Sequence, residues 1–270
     1  AMVRRSRRIP IITTVHSDYR LDYLGSPLKQ HTLGTANAIA LRFLDFYQPV
    51  ADRMARTLIE RGFDPERIVK IYNGMEFNRP EGEFDRAAYL RETYGAEIEE
   101  GDVLCGIAAR LTAVKDIATT VRGFAEALKT APQLRLFIAG DGEDADMLKK
   151  LCDQLGVRER VTFCGWVSPV MPFFRAMDIN LLSSVSETFP YSILEGVCAG
   201  CATICSDVGG MPELIDTGEN GYIFPVGDDK KLAEYMARLA NDAALRHTFA
   251  EALYAKASRD FSKDKMCERQ

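Results

Sequence analysis

The sequence lacks a long apolar run, and it lacks an excess of positive charge. The seven residues from Ile9 to Val15 are too few for a secretory signal, and no stretch approaches the ~18 apolar residues of a membrane-spanning helix. The formal net charge of −5 argues against nucleic acid as a partner, because binding of a phosphate backbone needs a basic face. We therefore expect a cytoplasmic protein.

The only basic segment lies at the amino terminus, where Arg4, Arg5, Arg7 and Arg8 flank a serine. A solvated terminal run is the simpler interpretation. The alternative is a patch for an acidic membrane surface, which would place the protein peripherally at the inner face of a membrane. Both interpretations stay open at this point.

The cysteines provide neither a disulfide framework nor a metal motif. Their number, seven, is odd, and the pair Cys198 and Cys201 has no second Cys-x-x-Cys pair and no histidine near it. These two residues and Cys205 lie in apolar surroundings on a predicted helix and the next strand. We expect them to be small core residues.

Strands and helices alternate regularly from residue 103 onward, and the strands are apolar on both faces. This pattern predicts a parallel sheet covered by helices on both sides, with ligands beyond the carboxyl ends of the strands. The fold class is therefore α/β, doubly wound. We predict strands at 103–109, 134–139, 161–163, 179–182, 202–205 and 221–224, and helices at 117–130, 144–155, 170–177 and 191–199, with a short helix near residue 211 and two terminal helices.

The amino-terminal part is shorter. It predicts strands at 9–15, 43–50 and 68–72, with an amphipathic helix at 51–62. Residues 73–85 contain Asn-Gly, proline and glycine, which makes them the best linker. We divide the chain into an amino-terminal domain, 1–78, and a carboxyl-terminal domain, 79–270.

Two cations follow the predicted strand at 103–109. Arg110 ends the strand, and Lys115 comes five residues later. Together they can neutralise a diphosphate, arginine as a planar fork and lysine as a point charge. Taken alone, they would be ordinary surface cations.

Two glutamates flank Pro190 after the predicted strand at 179–182. Proline disfavours helical geometry at the residue before it and suits the first turn of a helix, so a helix begins near Pro190 or Tyr191. Glu187 then lies on the loop and Glu195 on the helix. Because a helix N-terminus favours an anion, the sequence predicts a phosphate site in which the two carboxylates have different tasks.

Residues 140–145, Gly-Asp-Gly-Glu-Asp-Ala, match the dinucleotide fingerprint of NAD enzymes. The carboxylates in and just after this segment would repel a pyrophosphate, so we favour glycines for a tight turn and acids that complement a helix dipole. Asp144 and Asp146 are also a conceivable metal pair, but in the first turn of a helix both are expected to face solvent. We predict no metal here.

Six segments occur in the order found in the retaining glycosyltransferases of the large family with the GT-B fold, often called family 4, and the chain resembles that family over most of its length. The segments are ARLTAVKD, FIAGDGED, VTFCGWV, ETFPYSILE, GGMPELI and NGYIFPVGD. The resemblance implies a doubly wound carboxyl-terminal domain and a Rossmann-type amino-terminal domain. Residues 1–72 resemble only the second half of the latter, so we expect a fragment or a shortened protein.

The resemblance also implies roles for individual residues. It assigns the donor diphosphate to Arg110, Lys115 and the backbone near Phe189 and Tyr191, the ribose to Glu195, the base to the backbone near Val167, and the transferred sugar to the catalytic positions Glu187 and His16. Pro190 stands where many relatives have glycine, which removes one N–H from the phosphate site.

The implied reaction needs neither a cofactor nor a metal. The donor is a nucleotide-diphosphate sugar, and the acceptor is a sugar or a lipid-linked molecule. Fixed cations and N–H dipoles stabilise the charge on the leaving diphosphate more in the transition state than in the ground state. Three alternatives remain: a module that binds nucleotide sugar without transferring it, a nucleotide-sugar epimerase and, last, an NAD dehydrogenase.

Overall fold

The computed structural model describes residues 9–18 and 27–269. The basic segment with Arg4, Arg5, Arg7 and Arg8 lies outside these ranges. The strands in the described ranges are β1 (Ile12–Val15), β2 (Phe46–Pro49), β3 (Val103–Ala108), β4 (Leu134–Ala139), β5 (Val161–Gly165), β6 (Ile179–Leu182), β7 (Ala202–Ser206) and β8 (Tyr222–Phe224).

The helices come between and after these strands. They are α1 (Pro27–Leu41), α2 (Asp52–Glu60), α3 (Arg86–Tyr94), α4 (Ile117–Ala127), α5 (Ala145–Gln154), α6 (Met171–Arg175), α7 (Tyr191–Ala199), α8 (Met211–Leu214), α9 (Asp229–Asn241), α10 (Ala243–Asp260) and α11 (Lys263–Glu268), with short 3-10 turns at Pro65–Arg67 and Arg158–Arg160.

Strands β3 to β8 form a six-stranded sheet in the order β5-β4-β3-β6-β7-β8, and every neighbouring pair is parallel. The chain moves outward from β3 to β5 and then returns to the other side of β3 with β6. Ligands of open α/β sheets bind where the strand order reverses in this way, beyond the carboxyl ends of the strands. The doubly wound parallel sheet predicted from the sequence is confirmed. The strands and helices predicted between residues 103 and 224 agree with the observed ones within three residues.

The six-stranded sheet is buried on both faces. Consecutive residues of β3 belong to opposite cores: Leu104 packs with Phe173 of α6, and Cys105 belongs to the cluster that contains Phe124 of α4. Each fully buried aromatic side chain stabilises the fold by about 2–3 kcal/mol. Gly106 lets α6 and the residues just after it approach the sheet, because a Cβ at this position would lie 3.2 Å from Cε1 of Phe173 and 2.5 Å from the Cγ of Met177.

Strands β1 and β2 form a separate parallel pair with Val15 opposite Pro49, which we call the amino-terminal sheet. Its small core contains Val15, Tyr47 and residues Met54 and Leu58 of α2. The two strands of this sheet precede the predicted domain boundary at residues 78 and 79, and the six strands of the larger sheet follow it. The division into two domains stays a prediction.

Three sequence predictions need correction, and two helices were missed. Residues 68–72 are not a strand: Ile68 makes a single bridge with Tyr47, after which the chain bonds to β2 only through the amides of Val69 and Ile71. The strand predicted at 43–50 is limited to β2. Helices α1 and α3 were not predicted, and the carboxyl end has a third helix, α11.

The carboxyl-terminal helices return to the segment that joins the two sheets. The ring of Phe261, just after α10, lies 4.8 Å from that of Tyr72 and 4.9 Å from that of Phe189. The amide of Lys263 donates to the carbonyl of Met75 at 2.9 Å. Cys198, Cys201 and Cys205 are buried, as expected. In the described ranges, no helix has the length and apolar character needed to cross a membrane.

Candidate functional site

A crevice of about 280 Å³ lies at the reversal of strand order in the six-stranded sheet. The carboxyl ends of β3, β4 and β6 form its floor, and the loops that follow them form its walls. The lining residues are Ala108, Ala109, Arg110, Lys115, Ala139, Gly140, Trp166, Val167, Val170, Leu182, Glu187 and Ser192. An open crevice lined in part by charged side chains therefore lies where the sequence predicted a ligand site.

Lys115 and Glu187 form an ion pair across this crevice, Nζ donating to Oε1. The lysine side chain is 20% exposed and the glutamate side chain 12% exposed, so little water screens the pair. The hydroxyl of Ser184 donates to the same carboxylate oxygen at 2.9 Å. Glu187 is thus held in one position, and part of the charge of Lys115 is neutralised when no ligand is bound.

The two loops that carry this ion pair are bonded to each other; we call residues 109–116, after β3, the cationic loop and residues 183–190, after β6, the glutamate loop. The amide of Val185 donates to the carbonyl of Val114 at 2.8 Å, and the hydroxyl of Ser183 donates to the carbonyl of Asp116 at 2.9 Å. Asp116 adopts a left-handed conformation, with φ 45°, and caps α4 by accepting from the amide of Thr119. The spacing between the cationic loop and the glutamate loop is therefore fixed by several hydrogen bonds.

Glycines bring the loop after β4 against the cationic loop. A Cβ on Gly140, whose φ is +136°, would lie 1.8 Å from the carbonyl oxygen of Ala109. A Cβ on Gly142 would lie 2.3 Å from the carbonyl oxygen of Leu111. The glycines serve a tight turn, the interpretation favoured from the sequence, and they also allow a close approach of the two backbones, which the sequence did not predict. Burial and the neighbouring Glu143 raise the pKa of Asp144 at the start of α5.

Glu195 lies on α7, three residues after the crevice residue Ser192 and therefore on the same side of the helix. Its carboxylate is half-buried, and burial raises its pKa. Across residues 9–18 and 27–269, no side chain or amide bonds to it or pairs with it. A half-buried carboxylate without a partner is free to accept hydrogen bonds from hydroxyl groups.

Helix α7 begins at Tyr191 with Pro190 as its N-cap, which confirms the predicted start. Pro190 provides no side-chain cap. The amide of Ile193 donates to the carbonyl of Pro190 at 3.3 Å, which leaves the amides of Tyr191 and Ser192, at the helix N-terminus, to bind an acceptor from outside the helix. The ring of Phe189 is buried, and its carbonyl accepts from Nδ2 of Asn73 at 2.9 Å. Tyr191 is exposed at the helix start.

His16 follows the carboxyl end of β1 and does not line this crevice. Its carbonyl accepts from the hydroxyl of Thr188, the neighbour of Glu187. Residue 16 lines a different cavity, of about 250 Å³, between β1 and α1. The amino-terminal sheet thus reaches the glutamate loop through the backbone of His16.

The structure brings four of the predicted residues into one crevice: Arg110, Lys115, Val167 and Glu187. Glu195 and Tyr191 lie on the adjoining helix, and Phe189 contributes backbone beside it. Their assigned roles stay predictions.

Sequence reasoning missed Trp166, the only tryptophan of the chain, which is 75% exposed at the edge of the crevice. It also missed Ser184, which holds Glu187. The sequence signal for Trp166 was a large apolar side chain that follows a glycine at the end of a predicted strand. In the structure that glycine, Gly165, has φ +65°. Such an aromatic residue offers a flat apolar surface next to the cations.

The sequence profile of the family Glycosyl transferases group 1 matches residues 95–256. The chain is 27% identical over 267 residues to N-acetyl-alpha-D-glucosaminyl L-malate synthase of Bacillus anthracis, covering 96% of the chain and 66% of the relative. It is 26% identical over 271 residues to alpha-monoglucosyldiacylglycerol synthase of Streptococcus pneumoniae, covering 97% and 60%. The chain thus spans less than two thirds of the length of these relatives.

Solved structures show the same fold. Anabaena Alr3699/HepE in complex with UDP-glucose superposes with a TM-score of 0.85 at 22% identity, over 99% of this chain and 72% of that one. A variant of S. aureus TarM in complex with fondaparinux, alpha-GlcNAc-glycerol and UDP superposes with a TM-score of 0.80 at 15% identity, over 97% and 50%. The GT-B-like fold and the family resemblance expected from the sequence are confirmed.

Proposed function

Because the chain belongs to the family Glycosyl transferases group 1, we propose that its crevice binds the donor of a retaining glycosyltransferase. The donor is a nucleotide-diphosphate sugar, and the acceptor is a sugar or a lipid-linked molecule. One observation carries this proposal: Arg110, Lys115 and Glu187 line a single crevice at the reversal of strand order. Two cations beside a fixed carboxylate suit a ligand with a diphosphate at one end and hydroxyls at the other.

The charges in the crevice suit a diphosphate. Arg110 is exposed at the end of β3, where its guanidinium can bind phosphate oxygens in a bidentate manner. Lys115 supplies a second positive charge. Ser192, in the first turn of α7, lines the crevice, and the amides of a helix N-terminus favour an anion. Complexes of the structural neighbour Alr3699/HepE contain UDP and UDP-glucose, which supports UDP as the first nucleotide to test.

The proposed reaction breaks the bond between the sugar carbon and the diphosphate oxygen, and the diphosphate leaves with the electron pair. The acceptor oxygen forms the new bond on the same face of the sugar, and its proton passes to the leaving phosphate oxygen. Arg110, Lys115 and the α7 amides stabilise the charge on the diphosphate, which is greatest as the bond breaks. Glu187 balances the positive charge on the sugar and orients its hydroxyls. Because Arg110, Lys115 and the α7 amides stabilise the leaving diphosphate, the proposed reaction needs no metal ion.

We expect UDP, GDP or ADP to raise the melting temperature of the chain in the presence of EDTA. At a free concentration of about 100 times Kd, the ligand adds about 2.7 kcal/mol to the free energy of unfolding. Lys115→Ala and Glu195→Ala should abolish the increase. Lys129→Ala is the matched control, because Lys129 pairs with Glu126 on the surface just beyond α4.

Trp166 provides a second, independent reading of the same experiment. As the only tryptophan, at the edge of the crevice, it should change its fluorescence when a nucleotide binds. If none of the three nucleotides changes either the melting temperature or the fluorescence, the proposed donor site is refuted.

Binding without transfer is a second candidate, supported by the position of the crevice. All its lining residues fall between Ala108 and Ser192, whereas the chain spans 66% and 60% of the two relatives described above. Release of free nucleotide together with a glycosylated product, measured against a panel of sugar and lipid acceptors, would support transfer. Nucleotide binding without such release would support the binding module.

A further inference from the structure

Glu213 links the six-stranded sheet to the amino-terminal sheet. It lies on α8, in the segment Gly-Gly-Met-Pro-Glu that follows β7. Its two carboxylate oxygens accept from the amide of Asp52, the first residue of α2, at 2.9 Å and 3.1 Å. A carboxylate from one part of the molecule thus binds the N-terminus of a helix from the other.

Helix α2 has no cap of its own. Its N-cap residue is Ala51, which makes no side-chain cap hydrogen bond and is fully buried, so water cannot take the place of a cap. Helix N-termini leave amides unsatisfied and carry partial positive charge, and a carboxylate answers both needs. Glu213 therefore supplies the cap that the local sequence of α2 does not contain.

A second donor, the hydroxyl of Tyr72, holds the same carboxylate. The hydroxyl of Tyr72 donates to Oε2 of Glu213 at 2.6 Å, and Nζ of Lys70 donates to that hydroxyl at 2.7 Å. Lys70 also pairs with Asp52 at 2.7 Å. Burial, followed by the hydrogen bond to Glu213, raises the pKa of Tyr72, so its hydroxyl stays protonated and remains a donor.

The segment that carries Glu213 also packs against the glutamate loop of the crevice. The amide of Gly210 donates to the carbonyl of Thr188 at 2.7 Å. A Cβ on Gly209, whose φ is +52°, would lie 2.3 Å from the same carbonyl oxygen. A Cβ on Gly210 would lie 3.0 Å from the Cβ of Ala51. One short segment therefore contacts the glutamate loop on one side and the start of α2 on the other.

We propose that Glu213 is a positioning residue, which caps α2 from the other part of the molecule and so fixes the amino-terminal sheet against the glutamate loop. It does not line the crevice, and its effect reaches Glu187 through Thr188 and the backbone of His16. Its consequence for sugar transfer rests on the proposed function. The linkage itself does not, because it joins parts of the protein that are in contact without any ligand.

The test measures the distance between the two parts with paired spin labels. Glu60→Cys places a label at the end of α2, and Lys150→Cys places one on α5; both positions are exposed. Cys267→Ser removes the exposed native thiol. Cys164 is the remaining cysteine that is not fully buried, and burial raises its pKa to about 12, which keeps it unreactive toward the label.

We expect a narrow distance distribution in the labelled protein and a clearly broader one after Glu213→Ala, because α2 loses its anchor on the six-stranded sheet. Tyr72→Phe should broaden the distribution less, since the cap remains. Glu219→Ala removes an exposed carboxylate six residues further on, and it should leave the distribution unchanged. An unchanged distribution in Glu213→Ala, or equal broadening in the Glu219 control, would refute the proposal.

A rescue variant separates positioning from simple capping. Adding Ala51→Ser to Glu213→Ala gives α2 a hydroxyl cap of its own, and it should restore part of the lost melting temperature while the distance distribution stays broad. If the serine narrows the distribution again, Glu213 acts only on the helix and the positioning role fails.

Titration of the same labelled proteins with UDP, followed through Trp166, keeps the two proposals apart. Affinity for UDP should change by less than about twofold in Glu213→Ala, because Glu213 does not line the crevice and Glu187 keeps its contacts with Lys115 and Ser184. A larger loss would contradict a role confined to positioning. If the unaltered protein binds none of UDP, GDP and ADP while the distances behave as expected, the donor assignment fails and the linkage stands.

Discussion

The ion pair between Lys115 and Glu187 places opposite charges where the proposed diphosphate binds. The carboxylate holds the lysine in place through Oε1, but it also repels an incoming phosphate. Two unit charges a few ångströms apart near a protein surface interact by a few kcal/mol. Affinity for the nucleotide and efficiency of transfer therefore place different demands on Glu187.

Glu187→Gln should tighten the binding of UDP and impair transfer. Loss of the negative charge frees Lys115 for the phosphate and removes the repulsion, which should lower Kd by roughly 5- to 30-fold, about 1–2 kcal/mol. Loss of the charge that we propose stabilises the reacting sugar should lower the rate of product formation. Isothermal titration with UDP gives the first quantity, and nucleotide release with a glycosylated product gives the second.

Glu126→Gln is the control, since Glu126 lies on the exposed surface with Lys129. It should leave the affinity for UDP unchanged. Weaker UDP binding in Glu187→Gln would show that the carboxylate contacts the nucleotide favourably, against the arrangement proposed here.

At the scale of elements, the crevice depends on how closely the loops after β3 and β4 approach. Gly140 and Gly142 allow backbone to pack on backbone at that point. The same glycines resemble a dinucleotide fingerprint in sequence, yet their side of the turn is filled by the carbonyls of Ala109 and Leu111. Packing between loops, not a pyrophosphate, accounts for both glycines.

Gly140→Ala should therefore destabilise the fold and widen the crevice. The new Cβ would overlap the carbonyl oxygen of Ala109, and overpacking costs about 1–3 kcal/mol, to which the left-handed side of φ adds about 1–2 kcal/mol. Urea unfolding followed by far-UV circular dichroism measures the loss. Gly156→Ala is the matched control, because Gly156 also has positive φ (+68°) but no atom within 4 Å of the added Cβ, so it should lose only the conformational part.

The elements that sequence reasoning missed have weak periodic patterns. In α3, Leu90 is the only buried residue, and α1 leaves Leu28, Leu33 and Ile39 exposed, so neither helix has a clear apolar face. The segment at 68–72 has residue types that favour strands. Whether such residues form a strand depends on their tertiary contacts, and here the segment pairs with β2 at a single bridge. Regular strands buried on both faces were predictable because burial itself selects their residues.

At the scale of the whole molecule, the contacts that join the two sheets could not be predicted from the sequence. Glu213 and Asp52, which are hydrogen-bonded to each other, are 161 residues apart in the sequence. Thr188 and His16 are 172 residues apart. No local pattern marks such a pair. The crevice residues were predictable because strand ends of a parallel sheet meet at one edge, whereas the placement of His16 against them depends on packing between the sheets.

An aromatic cluster forms the centre of that packing. Phe261 stacks on Phe189 with an interplanar angle of 27° and meets Tyr72 edge-on at 68°. These three rings come from the end of α10, the glutamate loop and the segment between the sheets. Because Phe189 lies two residues before the start of α7, the cluster also holds the backbone that leads into the proposed phosphate site.

Phe261→Ala should destabilise the protein by about 3–5 kcal/mol, the usual cost of deleting a buried phenylalanine, and should separate the unfolding of the two sheets. Trp166 reports on the six-stranded sheet alone, while far-UV circular dichroism reports on all helices and strands. In the unaltered protein the two urea transitions should coincide, as they do for a cooperative unit. In Phe261→Ala the circular dichroism change should begin at a lower urea concentration than the fluorescence change.

Phe43→Ala is the control, because the ring of Phe43 is exposed, and it should shift neither transition. Coincident transitions in Phe261→Ala would show that the aromatic cluster does not couple the unfolding of the two sheets.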